Sequence, residues 1–213
     1  ETIKYLNAFK SKIILSGNLL RKDLEGREKI SSGFKILAMG GSQGAHTINK
    51  LIPLAVGLME DNKKEDLEII HISGDKEREA VEGTYNYQGI ENNVISFTKD
   101  IGRLYNESDF VVSRSGATTV AELLYLGKPS ILIPYPHAGG HQNLNAKVLG
   151  DIGLSVVLEE KDLTVEGLKD AMVRLMDKKV LTGMLDHVKD IEHKDATDIL
   201  IGAIMGGRSS VQG

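Results

Sequence analysis

From Phe34 onward the chain alternates short apolar runs rich in Ile, Val and Leu with longer amphipathic stretches, the pattern of repeated strand and helix units. The runs predict strands near 35–39, 67–72, 93–97, 110–113, 130–133 and 155–158. They are almost wholly apolar instead of alternating, which suits central parallel strands covered by helices on both faces. Helices are predicted over 45–59, 76–82, 117–126, 142–149 and 165–176, with one or two more near the C-terminus. Val120, Leu123 and Leu124 give the i, i+3, i+4 spacing of a buried helical face. The expected fold class is a doubly wound, Rossmann-like α/β domain on a parallel sheet.

Residues 1–33 stand outside this alternation, with an apolar run from Ile13 to Leu15, a turn at Ser16-Gly17-Asn18 and a charged stretch from Arg21 to Lys29. They read as the tail of a preceding domain plus a linker, with residues 34–205 as the ligand-binding domain and 206–213 as a frayed tail. Because the first residue is Glu1, the expectation is a cut into a longer protein.

A total of 213 residues with 41% hydrophobic content can bury a substantial core. Lys and Arg total 26 against 30 Asp and Glu, and the net charge of -4 creates no field drawing the chain to nucleic acid or anionic lipid. Any bound anion must therefore be held by local geometry. With no cysteine there are no disulfides or thiolate metal sites, and with neither a membrane-length apolar run nor a signal peptide the expected location is cytoplasmic.

Three segments carry candidate chemistry, each where a strand hands over to the next element. Gly40-Gly41-Ser42-Gln43-Gly44-Ala45 lets a ligand approach backbone amides at a helix N-terminus, a natural place for phosphate, though a merely tight turn fits it equally well. It is neither G-x-G-x-x-G nor a P-loop, so it supports no dinucleotide or ATP site. Arg114-Ser115-Gly116-Ala117-Thr118-Thr119-Val120-Ala121-Glu122 offers the amides of Ala117, Thr118 and Thr119 to a diphosphate. Glu122 lies about one turn further in, roughly 5–6 Å along the axis, where a carboxylate can accept ribose hydroxyls. The competing reading makes Ser115 an N-cap and Glu122 a solvated surface residue. The third segment, Pro134 to Ala146, contains His137 and His141 four apart, but its glycines and prolines argue for a loop, not a helical zinc face, and no metal site is expected. His141, Gln142 and Asn143 there offer hydrogen bonds to a sugar, or simply cap the next helix.

In order and separation, GGSQGA, RSGATTVAE and PYPHAGGHQNLNA resemble the donor-domain signature of the MurG family of glycosyltransferases. Ser16 to Arg21 is similar to that family's interdomain Thr-Gly-Asn-Pro-Val-Arg segment, departing at three places including Leu19 in place of proline, which implies a less stiff hinge. The resemblance covers nearly the whole chain but only the C-terminal half of such a GT-B enzyme. It implies that Ser42 and Gln43 make contacts near the phosphates and sugar, that Arg21 reaches toward the phosphates, that Ala117, Thr118 and Thr119 hold the diphosphate, and that Glu122 takes the ribose. It further implies that the backbone around Phe97-Thr98-Lys99-Asp100 reads the uracil edge, with Thr98 in contact, and that His141 and Gln142 grip sugar hydroxyls.

The implied reaction is inverting transfer of N-acetylglucosamine from UDP-N-acetylglucosamine to a lipid-linked muramoyl-pentapeptide acceptor, bound through a missing N-terminal domain. That domain would also supply the general base, and the full-length enzyme would sit at the inner face of the cell membrane. No D-x-D pair occurs, so helix dipole and amides would stabilise the departing UDP without a metal or other cofactor. Alternatives are a UDP-sugar transferase for another acceptor, a UDP-N-acetylglucosamine epimerase, and a non-catalytic UDP-sugar-binding subunit.

Overall fold

The computed structural model describes residues 14, 16–21, 24, 33–40, 45–137, 139–189 and 196–208. Six strands form one sheet: β1 (Phe34–Met39), β2 (Leu67–Ile72), β3 (Glu91–Ile95), β4 (Phe110–Ser113), β5 (Ser130–Leu132) and β6 (Ser155–Val157). Every pairing is parallel and the order is β3-β2-β1-β4-β5-β6. β1 is central, with Ile36 opposite Ile69 on one side and Phe110 on the other. Successive strand residues point to opposite faces, yet Ile36, Leu37 and Ala38 all have 0% exposure, so both faces of the sheet are covered. That double cover is why the strands read as unbroken apolar runs.

The connections are α1 (His46–Gly57), α2 (Asp61–Lys64), α3 (Arg78–Tyr87), α4 (Ile101–Glu107), α5 (Ala117–Leu126) and α6 (His141–Asp151). A 3-10 turn (Glu160–Asp162), α7 (Val165–Leu175) and α8 (Lys178–Asp186) follow. One core joins Ile48, Ile52 and Val56 of α1 to Leu168, Met172 and Leu175 of α7 and to the strand residues Ile36, Ile69, Phe110 and Ile131. Local signals set the ends. Thr164 and Asp177 accept hydrogen bonds from the amides of Gly167 (3.0 Å) and Lys179 (2.8 Å) and so cap α7 and α8. Gly127, at φ 55°, takes the left-handed conformation that stops α5, and the Lys128 amide donates back to the Leu123 carbonyl at 2.8 Å.

The chain divides into two compact units, residues 21–191 and residues 1–20 with 192–213. The first contains the sheet and helices α1 to α8. The second includes α9 (Ala196–Arg208) and Ser16-Gly17, where Gly17 has φ 83°.

In the sheet order, β1 leads outward to β2 and β3 on one side, while β4 starts the other half. The carboxyl ends of β1 and β4 therefore diverge and leave a crevice between their following loops, the position at which open α/β sheets bind ligands.

Candidate functional site

Two clefts open at that crevice, meeting at the first turn of α5. One, of about 330 Å3, has apolar walls from Met39, Ile72, Phe97 and Ile101, with Arg21, Thr98, Tyr105, Thr118, Thr119 and Glu122 completing it. The other, of about 490 Å3, is bordered by Gly40 and Ala45, by His46 and Thr47 of α1, and by Arg114, Gly116, Tyr135, Gln142 and Glu160. Thr119 lines both.

Glu122 is only 3% exposed, so it is not the solvated surface residue of the competing reading. Burying a carboxylate is costly unless it is paired and hydrogen-bonded, and both its oxygens have partners. Arg21 donates through Nε to Oε1 at 2.8 Å, and the Tyr105 hydroxyl donates to Oε2 at 3.0 Å. A carboxylate oxygen has two acceptor positions, so each retains one for a ligand hydroxyl. Burial first, and the neighbouring Glu122 carboxylate second, push the Tyr105 phenol well above its ordinary range, leaving it a hydrogen-bond donor.

Ser115 does not cap α5 either, because the N-cap residue is Gly116. Instead the Ser115 hydroxyl donates to the Gln142 carbonyl at 2.8 Å, and Asn145 donates to the Ser115 carbonyl at 3.0 Å. These bonds fasten the β4 loop to α6. The start of α5 faces the ligand crevice, and a helix's first-turn amides and dipole favour an anion. Thr118 is exposed there.

The wall of the second cleft is an ionic cluster that the sequence reading did not assign. Arg114 is 8% exposed, ion-pairs through Nη1 with Glu160, and donates to the carbonyls of Ile133 (3.1 Å) and Pro134 (3.3 Å). Thr47 donates to the other Glu160 oxygen at 2.8 Å. Burial opposes ionisation of Glu160, but the bonds from Arg114 and Thr47 outweigh it and hold the carboxyl below its ordinary range. The Arg114 guanidinium also lies 5.3 Å from the Tyr135 ring centroid. The cluster thus links β4, the Glu160–Asp162 turn and α1.

Among the other predicted site residues, Thr98 lines the first cleft and its hydroxyl accepts the Asp100 amide at 3.0 Å. Gln142 lines the second, where its Oε1 accepts the Tyr135 amide at 3.0 Å. His141 is the exposed first residue of α6, behind Gly139 and Gly140 at φ 58° and 78°, and lines neither cleft. Ala117 begins α5. Ser42 and Gln43 lie outside the described residues. Tyr105, Arg114, Glu160, Thr47 and His46 were not predicted as site residues. Their roles depend on partners far away in sequence, and only the position of Arg114 beside the α5 loop offered a signal.

The chain is thus a doubly wound α/β domain with a ligand-type crevice at the switch point of its sheet, an anion-favouring helix start lying between an apolar cleft and a polar one. Comparison makes this specific: a family model for the glycosyltransferase family 28 C-terminal domain matches residues 35–198, and the chain belongs to that family. It is 39% identical over 202 residues to a UDP-N-acetylglucosamine--N-acetylmuramyl-(pentapeptide) pyrophosphoryl-undecaprenol N-acetylglucosamine transferase of Psychromonas ingrahamii, covering 91% of this chain and 56% of that protein. Identity to the protein of the same name from Syntrophus aciditrophicus is 37% over 191 residues, covering 87% and 51%. The crystal structure of Acinetobacter baumannii MurG superposes with a TM-score of 0.74 at 28% identity, over 85% of this chain and 55% of that one. The chain spans about half the length of the curated relatives it matches.

Proposed function

We propose that this chain is the UDP-N-acetylglucosamine-binding part of an inverting N-acetylglucosaminyltransferase acting on a lipid-linked N-acetylmuramyl-pentapeptide. The observation that carries the reading is Glu122, a buried carboxylate inside an apolar cleft and beside a helix start that favours anions. A ribose binds with its hydroxyls on the two remaining acceptor positions of Glu122, and the base lies against the apolar wall, where Phe97 is 63% exposed. The diphosphate then meets the first turn of α5, and the sugar enters the second cleft beside Gln142. Arg21, paired with Glu122 through Nε, keeps its terminal guanidinium nitrogens for the phosphates.

Displacement at the anomeric carbon by an acceptor hydroxyl forms the new glycosidic bond as the bond to the UDP oxygen breaks. The α5 dipole and amides stabilise the charge gathering on the diphosphate. The acceptor and the general base are contributed from outside these residues. Among the described residues no helix is long and apolar enough to cross a membrane, and we assign the assembled enzyme to the cytoplasmic face of the membrane as a peripheral protein.

Titration calorimetry of the chain with UDP, UDP-N-acetylglucosamine and NAD tests this. Both uridine nucleotides should bind and NAD should not. Binding of NAD in preference to UDP, or no binding of UDP, would refute the reading.

A further inference from the structure

A second polar network runs from the core to the edge of the cleft that the nucleotide reading leaves to phosphate and sugar. His71, on β2, has 0% exposure and lies between the Tyr85 hydroxyl (3.0 Å from Nδ1) and Asn49 Oδ1 (3.0 Å from Nε2). Asn49 spends its amide hydrogens on the Ser73 carbonyl (2.8 Å) and Glu77 Oε2 (2.5 Å). Its oxygen is therefore the acceptor, which fixes the direction of the remaining bonds. His71 Nε2–H donates to Asn49, and Tyr85 O–H donates to His71 Nδ1. At the outer end the second Glu77 oxygen lies 2.5 Å from His46 Nδ1, so that nitrogen donates. Hydrogen bonds from His46 and Asn49 hold the Glu77 carboxyl below its ordinary range, so it is an anion.

Burying His71, Tyr85 and Asn49 is costly unless each is satisfied, and a fully connected network is rigid. What it makes rigid is the Glu77 carboxylate, and through it the His46 ring. His46 is the first residue of α1, its side chain is 78% exposed, and it lines the second cleft. With Nδ1 committed to Glu77, Nε2 is the ring atom left for a ligand. The other basic residue lining that cleft, Arg114, has its Nη1 engaged by Glu160 and two carbonyls.

We propose that His46 is a phosphate-binding residue, an imidazolium that donates Nε2–H to the diphosphate, and that Glu77 is its positioning residue. The proposal rests on the nucleotide-sugar reading above and adds a contact and a proton to it. Since Nδ1 donates to Glu77, Nε2 can donate only when the ring carries both protons. Diphosphate binding through Nε2–H therefore favours the doubly protonated ring over the singly protonated one. Among the described residues, the charged groups lining the cleft and the adjoining groove around the ring are Glu77 ahead of α3, Lys50 on α1, and Arg114 and Glu160 across the cleft.

The test is titration calorimetry of the full chain with UDP and with uridine, near pH 7.5, in two buffers of different ionisation enthalpy. His46→Gln should weaken UDP about tenfold, the scale of one lost charge-assisted hydrogen bond, and leave uridine unchanged. Proton uptake on UDP binding should exceed that of the variant. His46→Arg should recover most of the UDP affinity, and Glu77→Gln should weaken UDP to a smaller extent. Equal UDP affinity in parent and His46→Gln, or an equal loss for UDP and uridine, would overturn the assignment of His46. A parent that binds no UDP would overturn the nucleotide reading and this inference together.

Discussion

The two clefts flanking the start of α5 are built on different principles. The first presents apolar side chains around one buried carboxylate, which depends on Arg21 and Tyr105. The second is walled by ionic and polar groups satisfied by one another: Arg114 with Glu160 and Thr47, and His46 with Glu77, Asn49 and His71. In the reading proposed above, the nucleoside takes the first, because the ring face of its base needs no hydrogen bond and its ribose hydroxyls need an acceptor. Phosphate and sugar fit the second, where polar atoms are plentiful and rigid. The contrast separates polar groups that hold the fold from polar groups that hold a ligand. Substitutions of Arg114, Glu160, Asn49 or His71 behind the second cleft should cost stability first, whereas those of Glu122 in the first cleft, and of the exposed His46 ring in the second, should cost binding first.

The largest expected effect is on the network behind α1. Burial, only partly opposed by Glu77, pushes His71 down to about 4 from an ordinary 6.5. Above about pH 6.5 His71 is neutral in both folded and unfolded chains and its contribution is fully present. As the pH falls toward 4 the unfolded chain takes up a proton that the folded one refuses, and about 3 kcal/mol is lost. Denaturant unfolding at pH 7.5 and at pH 4, on the parent and on His71→Gln, should show the steeper loss in the parent. Equal losses would mean that His71 is not the titrating group. Next comes Arg114→Ala, which leaves Glu160 and two carbonyls without their partner. Glu160 keeps some solvent contact, so the cost should be about 2 to 3 kcal/mol of stability, below that of a fully buried broken pair. A variant as stable as the parent would break the view of this wall as structural.

In the first cleft, Glu122→Ala should weaken UDP by about 1 to 3 kcal/mol, the scale of lost charge-assisted hydrogen bonds to a partly buried ligand. Calorimetry on the folded variant measures this directly. Undiminished affinity would remove Glu122 from the site and with it the assignment of the ribose to this cleft.

What could be read from the sequence follows the same division. Strands β2 and β4 were predicted at residues 67–72 and 110–113, where the structure has them, because central parallel strands are continuous apolar runs. β3 is an edge strand of sequence ENNVI with an exposed start, so its apolar signal covers only its end and the prediction fell two residues late. α4 was missed, since seven residues with a glycine inside carry too little periodicity. Yet α4 supplies Tyr105, so the missed helix took with it the hydroxyl that bonds Glu122. The position of Glu122 one turn behind a strand-to-helix loop was legible as a local relation, but its burial was not. Arg114 with Glu160, 46 residues apart, and Asn49 with His71, 22 apart, are products of folding that no local pattern announces.

The smallest expected effect divides the first cleft within itself. Tyr105 touches Glu122 on the side away from Arg21, from a helix in the core, and its hydroxyl is a buried donor whose acceptor is that carboxylate. Tyr105→Phe removes the donor and leaves Glu122 bonded to Arg21, with one oxygen freed. Stability should fall by about 1 kcal/mol, the net worth of a typical hydrogen bond. UDP binding should fall by less than it does in Glu122→Ala, because the carboxylate that accepts the ribose hydroxyls is still present and still held by Arg21. Thermal unfolding and calorimetry on the same preparation compare the two effects. If Tyr105→Phe cost as much UDP affinity as Glu122→Ala, Tyr105 would be a ligand contact in its own right, and the division between groups that hold the carboxylate and groups that hold the nucleotide would have to be redrawn inside this cleft.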